Sequence, residues 1–139
     1  VIITILNKVK ARAKMKMKLR GDVVGVAISE AVKSPMLFRH GAVVVSERGE
    51  VRGRGYNNYI SAGRGVEVGR RRSIHAERAA LRKLSVEERR GVVVIAVRVG
   101  EGGDLREGAP CKGCQSFMRR CGVRVCVYRL DGEWREMYF

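Results

Sequence analysis

The chain is expected to be an α/β domain, because short runs of branched apolar residues alternate along it with segments of helical periodicity. Residues 92–99 form an almost continuous apolar run, the mark of a strand buried on both faces. On either side of it, residues 74–84 and 111–121 repeat small or apolar side chains at helical spacing. A length of 139 residues with 45% hydrophobic content is enough for one domain with its own core, without a disulfide framework.

The elements follow in chain order. Residues 8–20 alternate basic and apolar positions, with Lys8, Lys10, Arg12, Lys14, Lys16, Lys18 and Arg20 unaccompanied by any acid. Like charges at this density stay solvated, so residues 1–21 are read as a basic arm or tail and 22–139 as the folded domain. Residues 23–33 have helical spacing and end before Ser34-Pro35, where proline disfavours a helical predecessor. Residues 42–45 and 51–56 are short strand-like runs around Glu47-Arg48-Gly49-Glu50, the pattern of a hairpin. Residues 57–73, rich in glycine and arginine, read as a long loop, and long loops in compact domains are often functional.

A helix is expected over 74–84, with Ala76, Ala79, Ala80, Leu81 and Leu84 on one face and His75 and Glu77 in its first turn. After the buried strand comes a polar loop over 100–109. A second helix over 111–121 is stopped by Gly122, and strands follow over 123–128 and 133–139 around the Asp131-Gly132 turn.

The net charge of +15 and pI near 10.6 make a polyanion a natural partner, and the chain remains basic without its first twenty residues. The apolar residues 1–6 are too few to span a bilayer, which needs about 20, and they precede the basic run. No membrane partner is therefore expected. Two of the four cysteines have metal-ligand spacing, which points to a reduced, intracellular compartment, cytoplasmic or nuclear.

Two motifs carry the chemistry: His75-Ala76-Glu77, and Pro110-Cys111-Lys112-Gly113-Cys114. His75, Cys111 and Cys114 offer one imidazole and two thiols, a zinc ligand set that leaves the fourth tetrahedral position open for water. Zinc lowers the pKa of bound water to about 7, and so supplies hydroxide as a nucleophile at neutral pH. Glu77 is not needed as a ligand and is free to shuttle protons. Both motifs open predicted helices, whose free amides and dipoles are expected to help hold the thiols as thiolates. Taken singly, the Cys-x-x-Cys pair could be a structural metal or redox pair and His75 a capping residue; their combination argues against that. Cys121, Cys126 and His40 are read as structural.

The pattern His-x-Glu followed by Pro-Cys-x-x-Cys resembles the signature of zinc-dependent base deaminases. From residue 38 to residue 128 the chain resembles the cytidine deaminase-like superfamily. That resemblance implies a three-layer α-β-α fold with a five-stranded mixed sheet flanked by helices, and zinc on two helix N-termini. It also implies that Asn57, within Gly55-Tyr56-Asn57, binds the sugar of the target, that the Ala76 amide contacts the base, and that the chain self-associates.

His75 as first ligand is similar to deoxycytidylate, polynucleotide cytosine and tRNA adenosine deaminases, whereas free cytidine deaminases usually have cysteine there. Residues 75–81, 111–118 and the closing Asp131-Gly132-Glu133 hairpin look like the free cytidine deaminases. The 100–109 loop departs from the deoxycytidylate and tRNA patterns. Cys111-Lys112-Gly113-Cys114 lacks the methionine common before the second cysteine of tRNA adenosine deaminases. The reaction expected is hydrolytic deamination of cytosine to uracil in a nucleoside, nucleotide or single-stranded nucleic acid. The alternatives are a tRNA adenosine deaminase and a non-catalytic nucleic-acid-binding zinc domain. For a polynucleotide, Tyr59, Arg64, Arg70, Arg71 and Arg72 are the expected contacts.

Overall fold

The computed structural model describes residues 22–60 and 73–139; the arm expected over 1–21 lies outside them. In chain order the elements are α1 (Val23–Val32), β1 (Arg39–Val45), β2 (Val51–Tyr56), β3 (Asn58–Tyr59), β4 (Ser73–Ile74) and α2 (Ala76–Leu81). They continue with β5 (Val93–Val99), β6 (Leu105–Arg106), α3 (Lys112–Cys121), β7 (Val125–Leu130) and β8 (Glu133–Tyr138). The main sheet has the order β2-β1-β5-β7-β8, with β6 added to the end of β5. β1 is antiparallel to both β2 and β5, β5 is parallel to β7, and β7 turns back into antiparallel β8. The single parallel pair needs a crossover, which α3 supplies.

Alternation along the strands builds a core on each face of the sheet. Val43, Val45, Val93, Ile95, Val97 and Val127 pack under Val23, Ala27 and Ala31 of α1. Their neighbours Ala42, Val44, Val94, Ala96 and Cys126 pack under Ala80 and Leu81 of α2 and Met118 of α3. That is the three-layer arrangement, and it accounts for the unbroken apolar run in β5. Among the described residues no helix is long and apolar enough to cross a membrane.

Several segments differ from the sequence expectation: the loop expected over 57–73 carries β3 and β4 at its ends, and its residues 61–72 lie outside the described residues. Ile74 is drawn into β4, paired with Asn58, so α2 starts only after His75. At its other end, Ser85 and Glu88 exchange backbone-to-side-chain hydrogen bonds of 3.0 and 3.2 Å and start a separate turn. Leu84 is nevertheless buried, and its place in the core is what extends the apparent period. The polar loop 100–109 contains β6, held because Leu105 pairs with Val99 and packs against the α1-side core. The strand expected over 123–128 begins at Val125, because the Val123 amide donates to the Met118 carbonyl and closes α3 behind left-handed Gly122.

Helix α2 lies close on β2 because β2 has no side chain at its contact positions. A Cβ on Gly55 would stand 2.6 Å from the Ala80 amide nitrogen and 2.8 Å from Ala79, with no flexible group to yield. Gly55→Ala is therefore expected to destabilise the fold by about 1–3 kcal/mol in urea unfolding. It should also weaken metal binding by moving the start of α2. An unchanged unfolding midpoint would contradict this packing.

Candidate active site and metal centre

His75 and Cys111 are the N-caps of α2 and α3, both with extended backbone. The His75 side chain makes no capping hydrogen bond, so its ring is left for another use. Its Nδ1 lies 3.2 Å from the Cys114 Sγ and 3.5 Å from the Cys111 Sγ. The Cys111 sulfur in turn accepts the Cys114 backbone N–H at 3.4 Å. The loop entering α3 is pinned by Gln115, whose Nε2 donates to the Pro110 carbonyl at 2.9 Å. Donor atoms of all three residues lie within 4.8 Å of one another.

The donor set fits zinc. With Zn–N about 2.0–2.1 Å and Zn–S about 2.3 Å, tetrahedral angles set N···S separations of about 3.6 Å, close to those found. The surroundings ask for a cation as well. Glu77, in the first turn of α2, is 5% exposed, and among the described residues no lysine or arginine forms an ion pair with it. A buried carboxylate without a positive partner is costly, and a dication beside it removes that cost.

One expectation is corrected. Burial pushes the Cys114 thiol well above the usual range, and the Glu77 carboxylate, which is hydrogen-bonded to it, adds to the shift. Burial and the neighbouring carboxylate therefore oppose ionisation of Cys114 before a metal is bound. Ionisation must come with the metal.

A cavity of about 360 Å³ opens over this group, and Asn57, Tyr59, His75, Ala76, Glu77 and Cys111 all line it. The sequence-predicted residues are thus gathered in one place, apart from the arginines 64, 70, 71 and 72, which lie outside the described residues. Asn57 is buried and its amide is already engaged: Oδ1 accepts the His40 N–H at 2.8 Å and Nδ2 donates to the Phe38 carbonyl at 2.7 Å. It holds the start of β1 against the cavity and retains one N–H for a ligand.

Sequence reasoning missed His40 and the segment Met36-Leu37-Phe38, which also line the cavity. Leu37 is 88% and Phe38 56% exposed, and Arg98 stands over the Phe38 ring at 4.7 Å. Burial lowers the pKa of His40; Glu77 opposes the shift, while Arg98 and His75 add to it. No motif marks His40. The signal available for the rim is an apolar triplet directly after Ser34-Pro35, where a solvated turn should be polar.

Because metal displaces a proton from Cys114, zinc affinity is expected to rise with pH, by about tenfold per unit for each proton released. Competition with a chromophoric chelator between pH 6 and pH 8 measures this. A pH-independent affinity would contradict a protonated Cys114 in the metal-free protein.

Comparison with known proteins agrees with this geometry. The chain is similar in fold to a mutant cytidine deaminase from Mycobacterium tuberculosis, with 19% identity and a TM-score of 0.55 over 81% of this chain and 86% of that one. It is similarly related to the dCMP deaminase of cyanophage S-TIM5, with 22% identity and a TM-score of 0.54 over 82% of this chain and 89% of that one. No curated protein sequence matches. Residues 17–130, most of the chain, match the model of the cytidine and deoxycytidylate deaminase zinc-binding region. With its histidine and two cysteines gathered to hold Zn2+ at the starts of two helices, the chain belongs to the cytidine and deoxycytidylate deaminase zinc-binding family.

Proposed function

We propose that this deaminase converts cytosine to uracil in a nucleoside, a nucleotide or a single-stranded nucleic acid, with Glu77 moving the protons. The observation that carries the reading is a buried Glu77, without a cationic side chain, facing the cavity beside His75, Cys111 and Cys114. Zinc held by those three residues would supply a polarised water at neutral pH.

Glu77 is placed to accept a proton from the attacking water, as the water oxygen bonds to C4 of the base, and to deliver the proton to N3. It then passes the second water proton to the amino group, the C4–N bond breaks, ammonia leaves, and the C4 carbonyl forms. The cavity positions the ring for this exchange. Its floor includes Ala76, whose backbone N–H has no carbonyl partner in the first turn of α2 and is available to the base. Asn57 offers its remaining N–H to the sugar, and Tyr59 and Phe38 provide flat surfaces at the mouth.

Residues 22–139 form the catalytic domain in this reading, and 1–21 a basic arm that favours polyanions. The four free cysteines support a reducing, intracellular setting. Self-association, expected from the family likeness, is read by sedimentation of the zinc-loaded protein, where a monomer at all concentrations would refute it.

Glu77→Gln should keep zinc and lose turnover by about 10²- to 10⁴-fold. The assay presents cytidine, deoxycytidylate and a cytosine-containing oligonucleotide to the zinc-loaded protein and measures uracil products. Inosine from an adenosine substrate with no uracil from any of the three would overturn the choice of base. Full activity in the Glu77→Gln variant would overturn the proton route.

A further inference from the structure

We propose that His40 binds the target base: its imidazole forms a hydrogen bond to the ring on which Glu77 acts. This rests on the deaminase reading and adds to it a side chain that the metal and proton chemistry leave unused. His40 lines the cavity together with His75, Ala76 and Glu77. On β1 it precedes Ala42 and Val44 on the face of the sheet turned to α2 and α3, and it is the one polar side chain of that row.

The backbone of His40 is fixed by the residue proposed for the sugar. Its N–H donates to Asn57 Oδ1 at 2.8 Å, and the Asn57 N–H donates to the His40 carbonyl at 3.1 Å. The ring has no such tie: among the described residues it makes no hydrogen bond or ion pair. Across the sheet His40 is paired with Arg98, whose guanidinium stands over the Phe38 ring at 4.7 Å.

Packing alone would be served here by an apolar side chain, as it is at Ala42 and Val44. A polar ring withdrawn from water without a protein partner costs free energy, and a hydrogen-bonding ligand removes that cost. Burial favours the neutral imidazole against the pull of Glu77, with Arg98 and His75 acting in the same direction as burial. A neutral imidazole offers one N–H and one bare nitrogen. Cytosine presents acceptors at N3 and O2 and a donor in its amino group, so either tautomer of His40 meets a partner. The ring feels Glu77 and His75, which stand where the base reacts, and the contact is therefore assigned to the base and not to the sugar.

Histidine occurs twice in the chain, as His40 and His75, so isotope labelling of histidine nitrogens gives two pairs of ring resonances in NMR. The pair missing from His40→Phe belongs to His40. In the full zinc-loaded chain carrying Glu77→Gln, which holds substrate without turning it over, saturating cytidine is expected to move that pair. In turnover, His40→Phe keeps a ring of similar size without its nitrogens. It is expected to raise KM for cytidine and deoxycytidine alike by about tenfold, with kcat within about threefold and the zinc content unchanged. His40→Asn or His40→Gln, which retain a donor and an acceptor, should recover part of the loss.

An unchanged KM, an effect on one nucleoside alone, or a loss accounted for by missing zinc overturns the proposal. Should His40→Phe fail to fold, His40→Gln assigns the resonances and the NMR titration decides. If cytidine moves the His40 pair and the unmutated chain forms no uracil product, the base contact stands while the deaminase reading fails. A His40 pair unmoved by cytidine, deoxycytidylate and a cytosine-containing oligonucleotide overturns the contact whether or not turnover is seen.

Discussion

The chemistry of this fold depends on two helices beginning at the same point. His75 and Cys111 each sit just outside a helix with an extended backbone; the His75 ring makes no capping bond, while the Cys111 sulfur caps its own helix by accepting the Cys114 N–H. Placing their donors within a few ångströms requires α2 to lie flat on the sheet and α3 to cross over from β5 to β7. The first condition is met by the bare backbone of β2 at Gly53 and Gly55. The second is met by the parallel pairing of Val93, Val94 and Ile95 with Val125, Cys126 and Val127.

Electrostatics then make the meeting point incomplete without a cation. Glu77 is buried, Cys114 is almost fully buried, and the carboxylate adds to the cost that burial sets on ionising the thiol. A metal offsets that cost, which ties ligand ionisation to metal binding. Burial also lowers the pKa of His40, which lines the same cavity.

Much of this is legible in the sequence, and the reasons differ by element. The ligands and Glu77 are legible because short-range spacing fixes which side chains share a helix start. The doubly buried strand is legible because β5 has no polar position before Arg98. The ends of α2 are not, since Ile74 is claimed by a strand partner 16 residues earlier and Leu84 is buried from a turn outside the helix. β6 is hidden because two residues cannot display a period. His40 and Phe38 belong to the site only through the register of β1 against β5 and the fold of the preceding turn, and those are tertiary facts. The upward shift of the Cys114 thiol is equally hidden, because it comes from burial beside Glu77, a tertiary contact.

Everything catalytic here rests on His75, Cys111 and Cys114 forming an open three-ligand zinc site. Zinc-edge X-ray absorption of the purified protein reads that ligand set without reference to any substrate. Two sulfur scatterers at about 2.3 Å and two light scatterers at about 2.0–2.1 Å are expected, one of them lost as a histidine signal in His75→Ala. A shell of four sulfurs, or a shell unaffected by His75→Ala, would refute the open site.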